Sequence, residues 1–227
     1  ATKISFINAM AEIADATGAN VTQLADAIGH DDRIGRRFLN AGIGFGGGCL
    51  PKDIRGFAAR ATELGVGDAL SFLKDVDDIN LRRRARVQEI LTAELGDLTG
   101  KRIAVWGLAF KPDSDDIRDS PALDIVKSLA RAGAHVTGSD PEATGPATRR
   151  ITAAGLEDAV TLEPDHLAAA KDADAIVVAT EWKHFQDADP QAIAGLVGNA
   201  LVVDGRNCLS SDAWKEAGFI YRGMGRS

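Results

Sequence analysis

The chain has 227 residues, enough for one large or two small domains. Hydrophobic residues at 45% and charged residues at 26% lie close to globular averages, which excludes disordered and fibrous classes. The net charge of −7 divides into 12 basic and 14 acidic residues before Leu98 and 14 and 19 from there on. Neither part is the polycation that a general nucleic-acid or anionic-membrane binder requires.

Ile4, Ile7, Met10, Ala11, Ile13 and Ala14 recur at helical spacing, predicting an amphipathic helix over 2–17 that Gly18 stops. A second short helix follows over 21–28, with Asn20 as its N-cap and Gly29 as its stop. The stretch DDRIGRRFLNAGIGFGGGCLPKD then has no clean period. It holds six of the 24 glycines, from Gly35 to Gly48. Helical pattern returns from Pro51 to Leu64 and continues in one or two long helices to about residue 95.

Gly96 to Gly100 marks a boundary, giving an all-helical part at 1–97 and a second part at 98–227. Beyond it, strands are expected at Arg102–Leu108, His135–Gly138, Val160–Leu162, Ala175–Thr180, Leu201–Asp204 and 219–222. Helices are expected from Ser120–Pro121 to Arg131, at 144–154 and at 211–217. This β and α alternation predicts an α/β fold with a Rossmann-like, doubly wound parallel sheet.

No apolar run approaches the roughly 20 residues of a spanning helix. The two cysteines, Cys49 and Cys208, lie far apart without CxxC or His–Cys ligand spacing, so no metal site is expected and a cytoplasmic setting is. The chain opens on Ala1 in helical periodicity without a basic leader, and reads as starting inside a larger protein.

Gly42-x-Gly44-x-x-Gly47 matches the dinucleotide fingerprint as a string, but it does not follow a strand, which the fingerprint needs. The second part has the strand and lacks the glycines. More telling is Cys49, ahead of Pro51, Lys52 and Asp53 at a helix start. There the helix dipole and a nearby ammonium favour thiolate, and Asp53 lies one turn on as a base or water orienter. Cys208 reads as packing. Phe110 and Lys111 after the first strand, and Arg206 after a later one, sit where parallel sheets gather ligands, and the two cations suit phosphates. Arg82-Arg83-Arg84-Ala85-Arg86 reads as a solvated or ion-paired helix face, and the four histidines as surface or core.

RIGRRFLNAGIGFGGGCLPKDIRGF, GLAFKPDSDDIRDSPAL, ATEW and VVDGRN resemble the UDP-glucose 6-dehydrogenases, within the nucleotide-sugar dehydrogenases. The resemblance runs along nearly the whole chain. It implies oxidation of a sugar C6 alcohol to a carboxylate by two hydride transfers to NAD, through a cysteine thiohemiacetal and thioester. By motif position, Cys49 would be the nucleophile and Asp53 would help activate water. Asn40 and the backbone of Ala41, Gly42, Ile43, Gly44, Phe45 and Gly46 would line the UDP-sugar. Arg33 would reach the substrate of a neighbouring subunit. Phe110, Lys111 and Arg206 would meet the sugar nucleotide, while Lys52 and Arg118 would face NAD. The helices of 2–17 and 70–95 would form a homodimer core. The family's N-terminal NAD-binding domain and its Lys-x-x-x-Asn pair have no counterpart here: Lys3 and Asn8 are five apart, and those roles are not transferred to them. The piece alone is then expected to be inactive. GDP-mannose or another nucleotide sugar, or a non-catalytic nucleotide-binding module, remain alternatives, because CLPKD does not choose the base.

Overall fold

The computed structural model describes residues 1–226. Helix α1 (Thr2–Thr17) ends where Gly18 turns left-handed at φ 72°. The Asn20 side chain accepts from Thr22 N at 2.9 Å and so caps α2 (Val21–Gly29), as expected from the sequence. Helix α3 (Leu50–Glu63) carries Pro51 in its first turn. The apolar pattern over 70–95 resolves into a 3₁₀ turn (Gly67–Leu70) and one 24-residue helix, α4 (Phe72–Leu95).

The α/β part holds strands β1 (Arg102–Trp106), β2 (His135–Ser139), β3 (Val160–Leu162), β4 (Ala175–Val178), β5 (Leu201–Asp204) and β6 (Ile220–Gly223). They form one parallel sheet in the order β3-β2-β1-β4-β5-β6. The crossovers carry α5 (Pro121–Arg131), α6 (Thr144–Thr152), α7 (His166–Ala170), α8 (Lys183–Gln186), α9 (Pro190–Ala194) and α10 (Ser211–Glu216). This is the doubly wound sheet the sequence predicts. Its strand order reverses at β1/β4, where such sheets open a ligand crevice.

Three details differ from the expectation. The strands expected to reach Leu108 and Thr180 stop at Trp106 and Val178. Gly107 leaves the sheet at φ 100°, and the amides of Ala179 and Thr180 both turn onto Trp106 O. Helices α7, α8 and α9 have four or five residues, too few for a period to show.

Alternate strand positions feed opposite faces. Ile103, Val105, Val136, Val177 and Val203 pack with Leu123 and Val126 of α5, and also with Val87, Ile90 and Leu91 of α4. Ala104, Trp106, Ile176, Val178 and Val202 pack on the other side with Phe185, Ile193 and Trp214. Full burial of each larger apolar side chain is worth roughly 1.5–3 kcal/mol. The last turns of α4 therefore belong to the sheet's core, while its earlier turns, at Leu73 and Val76, pack with Phe45 and Ile54.

On the second face Trp106 meets His166 edge-on at 4.9 Å, and His184 lies 5.2 Å from His166. Burial, aided by His184 and opposed by Asp165, holds the His166 pKa below its ordinary value; burial, opposed by Asp140, lowers that of His184. The unfolded chain therefore takes up these protons first as pH falls, so stability drops as pH descends from about 6.5 through the lowered values. Denaturant titrations at pH 7.5 and 5.5 should show a smaller acid loss for His166→Gln than for the unaltered chain; equal losses would remove His166 from the acid response.

Candidate active site

Residues 41–47 are buried without forming helix or strand, so each of their backbone groups needs a partner. Two helices and a strand end supply most of them. From α1, Asn8 Oδ1 accepts from Gly42 N at 2.9 Å. From α4, Asn80 forms a two-way amide pair with Phe45, accepting from its N–H at 2.6 Å and donating to its carbonyl at 3.0 Å. Arg83 Nε donates to Gly42 O at 3.1 Å and Arg84 Nη2 to Phe45 O at 3.0 Å. From the end of β5, Gly205 O accepts from Ile43 N, Arg206 Nη1 donates to Gly44 O at 3.0 Å, and Asn207 Nδ2 reaches Ala41 O at 3.3 Å. Lys3 anchors the loop's entry on the carbonyls of Ile34 and Gly35. Glycine is required where these partners come closest. Gly44 has φ 93°, and a Cβ there would lie 2.5 Å from Asn80 Oδ1.

The basic run is thus not a solvated face throughout. Arg82 and Arg86 are surface residues beside Glu12 and beside Asp15 and Glu89, but Arg83 and Arg84 are buried. Burial lowers the Arg83 pKa, with Asp15 and Glu12 opposing. Residues at 80, 83 and 84 share one helix face, which brings all three onto the loop.

Two buried carboxylates shape the strand ends. At the end of β2, Asp140 accepts from the amides of Leu108, Ala109, Glu142 and Ala143 and from Trp182 Nε1. Its lone pairs are spent on the fold, so the position where a dinucleotide fold offers an acid to ribose has none to offer. The segment after β1 runs on to Ser120, which caps α5 by accepting from Leu123 N. The sheet of this chain does not fit a dinucleotide at that crevice. At the end of β5, Asp204 accepts from Tyr221 Oη at 2.9 Å and from the amides of Leu209 and Arg206.

Between the loop and the segments that follow β1, β4 and β5 lies a cavity of about 850 Å³. Its walls include Asn40, Ala41, Gly42, Gly44, Phe45, Gly46, Phe110, Lys111 and Arg206, all named from the sequence. Ile43 belongs to the same loop, but its side chain points into the sheet core. Four cations (Arg36, Arg37, Lys111 and Arg206) face the cavity against one carboxylate, Glu181, which suits an anionic ligand. Arg206 is already engaged, donating from Nε to Ala179 O at 2.8 Å with Glu181 Oε2 at 3.3 Å. Lys111 Nζ lies 5.5 Å from the centroid of the Phe110 ring. Phe38, which the sequence reading passed over, also lines the cavity. It is 65% exposed and holds a left-handed φ of 65°, a strained state at the site's edge.

Cys49 is the N-cap residue of α3 and is exposed, while Leu50 beside it lines the cavity. Lys52 and Asp53 pair with each other at 3.2 Å on the surface. Arg118 stands over Gly48 and forks onto Asp116, whose pKa it lowers. Lys52 and Arg118 are exposed cations near the thiol, each paired with a carboxylate. Arg33 is ion-paired with Asp31 at 2.6 Å and is 88% exposed, away from the cavity. Cys208 packs against the core on the second sheet face, as expected, and also lines the cavity; burial and then Asp204 and Glu181 push its thiol pKa far up.

Residues 1–82 match the central domain of the UDP-glucose/GDP-mannose dehydrogenase family, and residues 104–211 match that family's UDP binding domain. The chain belongs to the UDP-glucose/GDP-mannose dehydrogenase family. Similar curated members include a UDP-glucose 6-dehydrogenase of Pseudomonas aeruginosa, 40% identical over all of this chain and 50% of the relative. Another, from Bacillus subtilis, is 39% identical over all of this chain and 48% of the relative. A solved UDP-glucose dehydrogenase from Pyrobaculum islandicum superposes with a TM-score of 0.84 at 33% identity, over 99% of this chain and 48% of that one. The chain spans about half the length of the relatives it matches.

In this family member the two thiols differ in exposure and charge setting. Iodoacetamide at pH 8, read by peptide mass, should label Cys49 at least about tenfold faster than Cys208, since only thiolate reacts. Equal rates would show that Cys208 is not held as a thiol.

Proposed function

We propose that the whole protein oxidises UDP-glucose to UDP-glucuronate with NAD, and that this chain contributes the nucleotide-sugar cavity and the nucleophile. The observation that carries the reading is the placement of Cys49 at the start of α3, one residue from the wall of a cationic cavity built on the glycine loop. Residues 1–97 act as the dimerising part and 98–227 as the UDP-binding part. The names of the relatives support UDP-glucose as substrate.

Lys111 and Arg206 meet the diphosphate, where a guanidinium offers a bidentate fork. Phe38 offers an exposed aromatic face to the base. The backbone of residues 41–46 lies against the sugar, because glycines let the ligand approach the main chain. NAD supplies, when bound, the acceptor for the hydrides that leave C6. Cys49 adds as thiolate to the C6 aldehyde to form a thiohemiacetal. Loss of hydride leaves a thioester, which water hydrolyses to carboxylate and free thiol. Asp53 exchanges Lys52 for that water and orients it. Lys52 and Arg118 lie on the exposed side of the thiol, where the cofactor must approach. Exposed apolar side chains on the helices, Phe6, Ile13 and Leu81 among them, suit the homodimer contact, and Arg33 reaches across it.

Whole protein given UDP-glucose and NAD should form two NADH per UDP-glucuronate. Cys49→Ser should lower this by a factor on the order of 10³ or more, with UDP affinity by calorimetry within about threefold of the parent. NADH from GDP-mannose alone would replace the substrate, and full activity in Cys49→Ser would remove the nucleophile. The 227-residue chain alone should bind UDP and form no NADH.

A further inference from the structure

The family match and the cavity leave unexplained why a guanidinium is buried in the middle of α4. Arg84 is 6% exposed and reaches three groups from three parts of the chain. Nη2 donates to Phe45 O at 3.0 Å, in the glycine loop. Nη1 donates to Asp119 at 2.7 Å, just before α5, and to Asp124 within α5. Asp119 is itself strained, with φ 48°, and its second oxygen lies 3.5 Å from Arg55 Nη1. Arg55 sits on α3, six residues beyond Cys49, and is fixed to α4 by Asp77 at 2.8 Å. The 116–119 segment also touches the loop directly: Gly47 N donates to Arg118 O, and a Cβ at Gly46 would collide with Asp119 O.

These contacts form one polar circuit: glycine loop, Arg84, Asp119, Arg55, thiol helix. Two of the three bodies that meet there, the loop and the segment before α5, also supply cavity or thiol neighbours, namely Phe45 and Arg118. A buried cation bridging separate elements is costly to assemble. A helix that needed only to pack could use apolar residues here, as it does at Val87 and Leu91.

We propose that Arg84 is a positioning residue, which with Asp119 locks the Phe45 peptide and the Cys49-bearing start of α3 into one register, so that the sugar's C6 and the thiol meet. The proposal rests on the reading of the cavity as the UDP-sugar site. Neither Arg84 nor Asp119 lines the cavity. Their effect therefore passes through the loop and α3, and it should fall on the sugar nucleotide and the chemistry rather than on NAD.

The test uses the whole protein, with Arg84→Lys, Arg84→Ala, Asp119→Asn and the pair Arg84→Lys/Asp119→Asn. Lysine keeps the charge but cannot serve Phe45 O, Asp119 and Asp124 together. Each single variant should lose about tenfold or more in kcat/KM for UDP-glucose, the scale expected when a reacting pair is misplaced, with KM for NAD within about twofold. The double variant should be no worse than the poorer single, because both break one circuit. Guanidinium ion added at millimolar levels should restore part of the activity of Arg84→Ala and none to Asp119→Asn. Asp119→Asn is nearly isosteric on a partly exposed residue, which keeps one variant folded if the arginine variants are not. Variants whose melting temperature falls while kcat and both KM values of the folded fraction stay at parental levels would overturn the positioning role, as would additive losses in the double variant. A parent protein that forms no NADH from UDP-glucose would instead overturn the functional reading on which the proposal stands.

Discussion

A buried, irregular backbone must have hydrogen-bond partners, and that constraint organises this molecule. Seven consecutive residues, 41–47, are buried with neither helical nor strand bonds of their own. Each unmet amide or carbonyl in such a place costs about 1–3 kcal/mol. Asn8, Asn80, Arg83, Arg84, Arg206 and Asn207 remove that cost from three directions: α1, α4 and the end of β5. Asn80 comes as close as it does because Gly44 has no Cβ, and Gly42 leaves room for Gly205 O in the same way. Sequence, backbone path and polar burial thus answer one another at a single place.

The sheet contributes differently. Its strand ends are set by two carboxylates turned inward, Asp140 and Asp204, each saturated with donors from the chain itself. A fold that usually reads a dinucleotide at β1 and β2 has here committed that acid to its own loops. The open polar groups lie further along, at Lys111 and Arg206, facing the glycine loop. The sheet is a wall of the site rather than the whole of it.

Much of this was legible in the residues. The period of α1, the Asn20 cap and the apolar runs of β1, β4 and β5 follow from local chemistry, and so does the doubly wound class. The glycine loop and the thiol at the start of α3 were also readable, because turn and cap residues carry short-range meaning. The partners of the loop were not. Asn80 acts on Phe45 across 35 positions, and Arg83 and Arg84 sat in a run that looks solvated. No local pattern distinguishes a buried arginine serving carbonyls from an exposed one serving carboxylates. Phe38 was missed for a related reason: its strain is a property of backbone angle, which composition does not show. Cys208 packs as the sequence suggests, but only the fold shows that it also stands beside Arg206 in the cavity.

The path of α4 carries a consequence for how such proteins are inherited. Its early turns pack under the glycine loop, and its late turns, at Val87, Ile90 and Leu91, complete the hydrophobic layer over β1, β4 and β5. The boundary visible in composition near residue 97 is therefore no seam in the energetics, because α4 packs with the parts on both sides of it. A recombination event that exchanged the nucleotide-binding half at that point would leave it with an uncovered apolar face and leave the helical half with a greasy tail. The two parts share one helix, and neither core is complete without it.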